Sequence, residues 1–176
     1  MPTRSRWQSL PTEAINPASL AIDKLDAGGI VDLMIAEDKR MIAAVHKERD
    51  RIALGADMCA KALRRGGRIV FVGAGTSGRL GIVESAEMPP TFGTDPLLVQ
   101  GIMAGGKNAL VRAKEGAEDN YEEGARSVTR LTPGKKDVVV GVSASGMTPF
   151  VRGGLTAARK AGSRVVFVTC DPRNEL

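Results

Sequence analysis

A chain of 176 residues with a 43% apolar share has room for one domain with a real core. Aromatic residues, at 3%, offer no stacking platform for single-stranded nucleic acid. The net charge of +5 is scattered, with one short cluster at Arg64, Arg65 and Arg68, and suits an anionic small molecule without any nucleic-acid motif to support DNA binding.

Residues 1–11 read as a loose basic tail without an apolar leader segment, and no run is long enough to span a bilayer. No membrane partner and a cytoplasmic location are therefore expected. Residues 12–65 read as helical, because Ile30, Leu33, Met34, Met41, Ile42, Val45, Ile52, Met58 and Leu63 recur at three- and four-residue steps. Gly28, Gly29 and Gly55 are expected to separate or soften these helices. The single His46 lies in this stretch and reads as a surface or packing residue. With Cys59 and Cys170 it makes no metal-ligand set, so no metal is expected, and the two thiols read as reduced and partly buried. RRGGR then marks a helix stop and a turn.

From residue 68 short apolar runs alternate with helical stretches: RIVFV (68–72), LLVQGIM (97–103), DVVVGV (137–142) and RVVFVTC (164–170). Unbroken Val/Ile runs are expected for strands covered on both faces. Intervening helices make βαβ units, hence a parallel sheet with right-handed crossovers. The division expected is an N-terminal tail and helical segment, 1–65, packing on an α/β domain, 66–176.

Two strands run into the same kind of turn. The first ends in GAGTSGR, with Gly75, Thr76, Ser77 and Gly78. The third ends in SASGMTP, with Ser143, Ser145, Gly146 and Thr148. Each opens a helix, whose N-terminus offers free N–H groups and partial positive charge, and the hydroxyls add neutral donors. In a flavodoxin-like order 2-1-3-4 the two loops flank the switch-point crevice. Either loop alone would be read as a helix cap. Together they point to a phosphate site. A dinucleotide fits less well, because no carboxylate follows the second strand to hold a ribose, and there is no Walker A sequence. A phosphorylated small molecule, a sugar phosphate, is the expected ligand.

Glu84 and Glu87 share a helix face, and Pro89 and Pro90 are expected to end that helix. KEGAEDNYEEG supplies Glu115, Glu118, Asp119, Glu122 and Glu123, most of which read as a solvated face. One carboxylate from each cluster could form an acid/base pair. Residue chemistry does not select which. On a straight helix Glu87 lies roughly 15 Å from Ser77 at ~1.5 Å per residue, so a bent path or a site shared with a second subunit is required.

GAGTSGRLGIVESAEMPPTFG, AGGKNALVRAKEGAEDN and DVVVGVSASGMTPF, with TEAINPASLAIDKLD and AEDKRMIAAV before them, resemble the N-acetylmuramic acid 6-phosphate etherases from about Thr12 to the last strand. The resemblance implies a sugar isomerase (SIS) domain, a three-layer αβα sandwich with a parallel flavodoxin-like sheet, preceded by a helical segment. It implies a carbon–oxygen lyase of cell-wall sugar recycling that uses no cofactor. The implied substrate is N-acetylmuramic acid 6-phosphate and the implied products are N-acetylglucosamine 6-phosphate and D-lactate, formed by elimination and hydration. By motif, Glu87 of SAEMPP is the implied proton donor and Glu118 of EGAED the implied base or second carboxyl. Gly75, Thr76, Ser77, Gly78, Ser143, Ser145, Gly146 and Thr148 are the implied phosphate-binding residues. Met147 stands where the family often has arginine. The family's chains continue past this point with a fifth strand and a helical tail, so the chain is expected to be a fragment or a shortened member with an exposed edge at Val166 and Val168, binding sugar phosphate weakly, self-associating and showing little or no etherase activity. A homodimer is implied. The related glucokinase regulatory protein offers an alternative, a non-catalytic sugar-phosphate sensor. An aldose–ketose isomerase is a third reading, one that would not need SAEMPP and EGAED.

Overall fold

The structure, a computed structural model, describes residues 10–171. They fall into two compact units, one up to Ala56 and one from Asp57 onward. Most of the expected basic tail lies outside the described residues.

In the first unit the helical reading is corrected at its start. Residues 11–24 form three separate 3-10 turns, Pro11–Glu13, Pro17–Ser19 and Ile22–Lys24. Proline opens two of them, and the Asn16 side chain accepts from the Ala18 N–H at 3.0 Å, which favours short turns over a continuous helix. Helix α1 (Ala27–Lys47) begins where Asp26 caps the Gly29 N–H at 2.8 Å. Gly28 and Gly29 therefore sit in its first turn and separate nothing. Gly55 lies inside α2 (Arg49–Arg64), and the break between the two helices falls at Glu48 instead. Helix α1 buries none of its residues, and His46 is exposed in its last turn.

The second unit alternates as expected: β1 (Ile69–Gly73), α3 (Gly75–Phe92), β2 (Val99–Met103), α4 (Tyr121–Arg130), β3 (Val138–Val142), α5 (Pro149–Lys160) and β4 (Arg164–Val168). All pairs are parallel, in the order β2-β1-β3-β4. Because side chains alternate across a strand, each valine-rich run feeds two cores. Val70, Val72 and Val139 face Val128 of α4 and Phe150, Val151 and Leu155 of α5. Ile69, Val138 and Val140 face the other way, with Cys59, Ala62 and Leu63 of α2 and Met88 of α3. Burying one such side chain is worth about 1.5–3 kcal/mol.

Three further expectations are corrected. Pro89 and Pro90 do not end α3; they lie inside it, and the helix stops at Gly93, in the left-handed region at φ 63°, whose N–H donates to Pro89 O at 2.9 Å. Each proline keeps a helical φ but forfeits its N–H and crowds the carbonyl four residues back, at Ser85 and Ala86, so the fold overrides local preference here. Val168 is exposed on the β4 edge, but Val166 is half-buried against the second core. Cys59 is partly buried, as expected, whereas Cys170 is exposed.

The amino ends of β1 and β3 are locked together. Asp137, buried at the entry to β3, accepts from the Arg68 N–H at 2.8 Å, from the Arg68 guanidinium at 3.0 Å and from the Gly134 N–H at 3.0 Å. Burial pushes its carboxyl up. The Arg68 side chain and the two backbone N–H groups outweigh burial and hold it below the usual aspartate value.

Candidate functional site at the carboxyl ends of β1, β2 and β3

Gly73 of β1 pairs with Val142 of β3, so the loops that follow leave the sheet side by side. The glycine pattern of the first loop has a packing origin. A Cβ on Gly78 would lie 2.9 Å from the carbonyl carbon and oxygen of Gly73, and one on Gly73 would lie 2.5 Å from the Gly78 N, so strand end and helix start touch through bare backbone. Gly75 takes φ +55° between them.

The two loops use their hydroxyls differently. Helix α3 is capped by Ala74, which makes no side-chain cap bond, while Thr76 and Ser77 lie in the first turn. Among the described residues neither hydroxyl is hydrogen-bonded, and Thr76 is exposed. The capping explanation therefore fails for this loop, and the N–H groups of the first turn have no side-chain acceptor. In the second loop the hydroxyls bond inward. Ser143, buried, shares a 2.8 Å hydrogen bond with Thr148 and accepts from the Gly146 N–H at 3.1 Å. Ser145 accepts from the Met147 N–H at 3.2 Å. The Arg152 guanidinium donates to Gly146 O at 2.9 Å. Thr148 occupies the cap position of α5 but makes no cap bond.

A cavity of about 140 Å³ opens beside the first loop. Gly75 and Arg79 of α3 form one wall; Ala109, Lys114, Glu115 and Glu118 are among the residues of the other. The structure thus brings Gly75 and Glu118 together. Glu87 is exposed and does not line the cavity; α3 runs unbroken from Gly75 to Phe92, so Glu87 is carried roughly 15 Å beyond Ser77 at ~1.5 Å per residue. Glu123, from the same acidic cluster as Glu118, is tied to Arg126 at 2.9 Å and to Arg130 at 3.2 Å, and the Arg126 bond chiefly lowers its pKa. It braces α4 and is not a free acid or base.

Arg79 is absent from the expectations above. It lies one helical turn after Gly75, on the same face, and donates through Nε to Leu110 O at 2.9 Å and through a terminal nitrogen to Ala109 O at 2.8 Å. Its spacing from Gly75 was the available signal. Its partners are backbone carbonyls, which no side-chain pattern reveals. Among the described residues no group of three or more His, Cys, Asp or Glu could hold a metal ion. No helix of the described residues is long and apolar enough to cross a membrane.

A four-stranded parallel sheet with helices on both faces and glycine-hydroxyl loops at its switch point defines a SIS-type domain. The family model described as glucokinase regulatory protein N-terminal SIS domain matches residues 51–159, and the chain belongs to that family. The chain is 49% identical over 167 residues to the N-acetylmuramic acid 6-phosphate etherase of Gloeobacter violaceus, covering 95% of this chain and 55% of that protein. It is 45% identical to the etherase of Microcystis aeruginosa, covering 97% of this chain and 57% of that one. It spans about half the length of the curated relatives it matches. Among solved structures, the phosphoheptose isomerase of Neisseria gonorrhoeae superposes with TM-score 0.65 at 21% identity, covering 82% of this chain and 75% of that one. That of Francisella tularensis gives TM-score 0.60 at 20%, with 79% and 74% covered. These two likenesses establish the fold.

Proposed function

We propose that the chain is the sugar-phosphate-binding part of an N-acetylmuramic acid 6-phosphate etherase, a lyase of cell-wall sugar recycling. The observation that carries this reading is the 49% identity to a named etherase across 95% of the chain. The geometry supports it: free hydroxyls and N–H groups at the start of α3 suit a phosphate, and Glu118 lines the adjoining cavity. In the elimination a base removes the C2 proton of the open-chain sugar. An acid protonates the ether oxygen as the C3–O bond breaks and D-lactate departs. Water then adds to the unsaturated aldehyde to give N-acetylglucosamine 6-phosphate. We assign Glu118 as the base or second carboxyl and Glu87 as the proton donor, with the phosphate held by Gly75, Thr76, Ser77 and Gly78 and by the loop of Ser143, Ser145, Gly146 and Thr148.

Glu87 and Glu118 cannot serve one site within a single chain along a straight α3, and a cavity of about 140 Å³ is small against the several hundred typical of ligand pockets. Both facts favour a homodimer in which Glu87 reaches a partner's site. The apolar residues Val31, Met34, Met41, Ile42 and Val45, all exposed on α1, offer surface for such a contact. A phosphorylated intracellular sugar as substrate makes the cytoplasm the proposed location.

In a chain of its relatives' full length, incubation with N-acetylmuramic acid 6-phosphate should release D-lactate, and Glu118→Gln should lower turnover by ~10²-fold or more. Binding of sugar phosphate without lactate release would favour the second reading, a non-catalytic sensor, which the description of the matching family model supports.

A further inference from the structure

Between β2 and α4 the chain makes an arch, residues 104–120, that contains only two short 3-10 turns, Lys107–Leu110 and Ala117–Asp119. Its root is fixed, since the Ala104 N–H donates to Gly73 O at 3.0 Å. Beyond the root, the backbone hydrogen bonds of its described residues stay local, such as Ala109 to Gly106, Arg112 to Asn108, and Asp119 to Gly116. Residues 111–116 are exposed. Near the far end, Ala117 packs against the core of the α5 face.

The one side chain from another element that hydrogen-bonds the arch among its described residues is Arg79, thirty and thirty-one positions away in sequence. It accepts nothing and donates twice, to the consecutive carbonyls of Ala109 and Leu110. These are the closing carbonyls of a 3-10 turn, which lack acceptor partners further along it. A planar guanidinium matches two parallel acceptors in a way that a lysine ammonium does not. Arg79 is part-buried in these bonds, and it rises from the same helical face as Gly75.

We infer that Arg79 is a positioning residue: it staples the arch to the start of α3 and so holds the cavity wall opposite the phosphate loop, which sets where Glu118 stands. Ala117 fixes one end of the wall by apolar packing, and Arg79 fixes the other by two hydrogen bonds. With the staple in place, the first turn of α3 and Glu118 face one cavity of defined width. Without it, the wall from Ala109 to Lys114 is held only by Ala117 at one end and by the buried Ala109 and the root at Ala104 at the other. Arg79 itself carries no proton in the reaction. The inference rests on the proposed etherase reading for its kinetic consequence, but its structural half stands apart from that reading.

Arg79→Lys keeps the charge and one donor while abolishing the paired geometry; Arg79→Ala removes both. Hydrogen–deuterium exchange of the full chain should show residues 105–116 losing protection in both variants, more in Arg79→Ala, with the peptides of β1 and β3 unchanged. In D-lactate assays kcat should fall by about 10- to 100-fold while KM stays within about twofold, because a misplaced carboxyl costs rate and not phosphate affinity. Arg79→Lys should recover only part of that loss. Unchanged exchange in the arch, or a raised KM with normal kcat, would overturn the inference. If an unaltered chain of the relatives' full length releases no lactate, the etherase reading fails instead. The staple is then decided by exchange alone, where a loosened arch supports it and an unchanged arch defeats it.

Discussion

The two ends of β1 and β3 are built on opposite terms. At their amino ends, Asp137 and Arg68 are locked by three hydrogen bonds to a largely buried carboxylate. At their carboxyl ends the same strands release helix starts whose donors are partly uncommitted, as at Thr76 and Ser77. Stability is concentrated at one end and ligand capacity at the other. The rigid end fixes strand spacing, and the open end inherits that spacing as the width of a crevice. Within the open end a second contrast holds: the loop after β3 uses its hydroxyls on itself, and the loop after β1 keeps them available.

The largest effect should come from Asp137→Ala, which leaves the Arg68 guanidinium and two N–H groups without their acceptor. A loss of about 3 kcal/mol or more is expected in urea unfolding. Affinity for N-acetylglucosamine 6-phosphate should persist in whatever fraction remains folded. If affinity fell while stability held, the division between the two ends would be wrong.

Replacing Thr76 and Ser77 together with alanine should do the reverse. Each hydroxyl lost from a charged ligand is worth about 1.5–3 kcal/mol, so affinity should drop by about 100-fold or more, with the melting temperature unchanged. Calorimetry and a thermal melt on the same preparation compare the two directly.

Acid offers a graded version. The folded Asp137 titrates below its ordinary value of 3.8. Its contribution is therefore complete above the unfolded value and is lost as pH falls through about 4 toward the lower folded value. Unfolding free energy should decline in that window, and the decline should be shallower in Asp137→Asn. Parallel curves for the two proteins would remove Asp137 from the account.

The smallest effect should be that of Ser143→Ala. It takes the partner from Thr148 and one acceptor from the Gly146 N–H, for a stability cost of about 1–2 kcal/mol, and should change sugar-phosphate affinity less than the Thr76 and Ser77 pair does. An affinity loss equal to that of the pair would make the two loops equivalent ligands after all.

The sheet was legible because its signal is coarse: four Val/Ile runs separated by helical stretches specify parallel strands, whereas their order was taken from the flavodoxin-like class. The paired loops were legible for the same reason, since glycine and hydroxyl residues stand out after a strand. What the hydroxyls do was not legible. Ser143 and Ser77 look alike in sequence, and only the fold shows one buried against Thr148 and the other free. The helix stop at Gly93 was missed because two prolines outweigh one glycine in a local reading, and the fold carries the helix past them against that local cost. Arg79 was missed because its partners are carbonyls brought close by the arch. Glu118 was placed with Gly75 by the same arch, whereas Glu87, equally prominent in sequence, was carried away along a helix that runs unbroken to Phe92.

The central claim is that the start of α3 recognises a phosphate. Titration calorimetry with N-acetylglucosamine 6-phosphate and with unphosphorylated N-acetylglucosamine tests it on the unaltered protein. The account predicts measurable heat with the phosphate ester and none with the free sugar at the same concentration. Equal binding of the two sugars, or binding of neither, would contradict it.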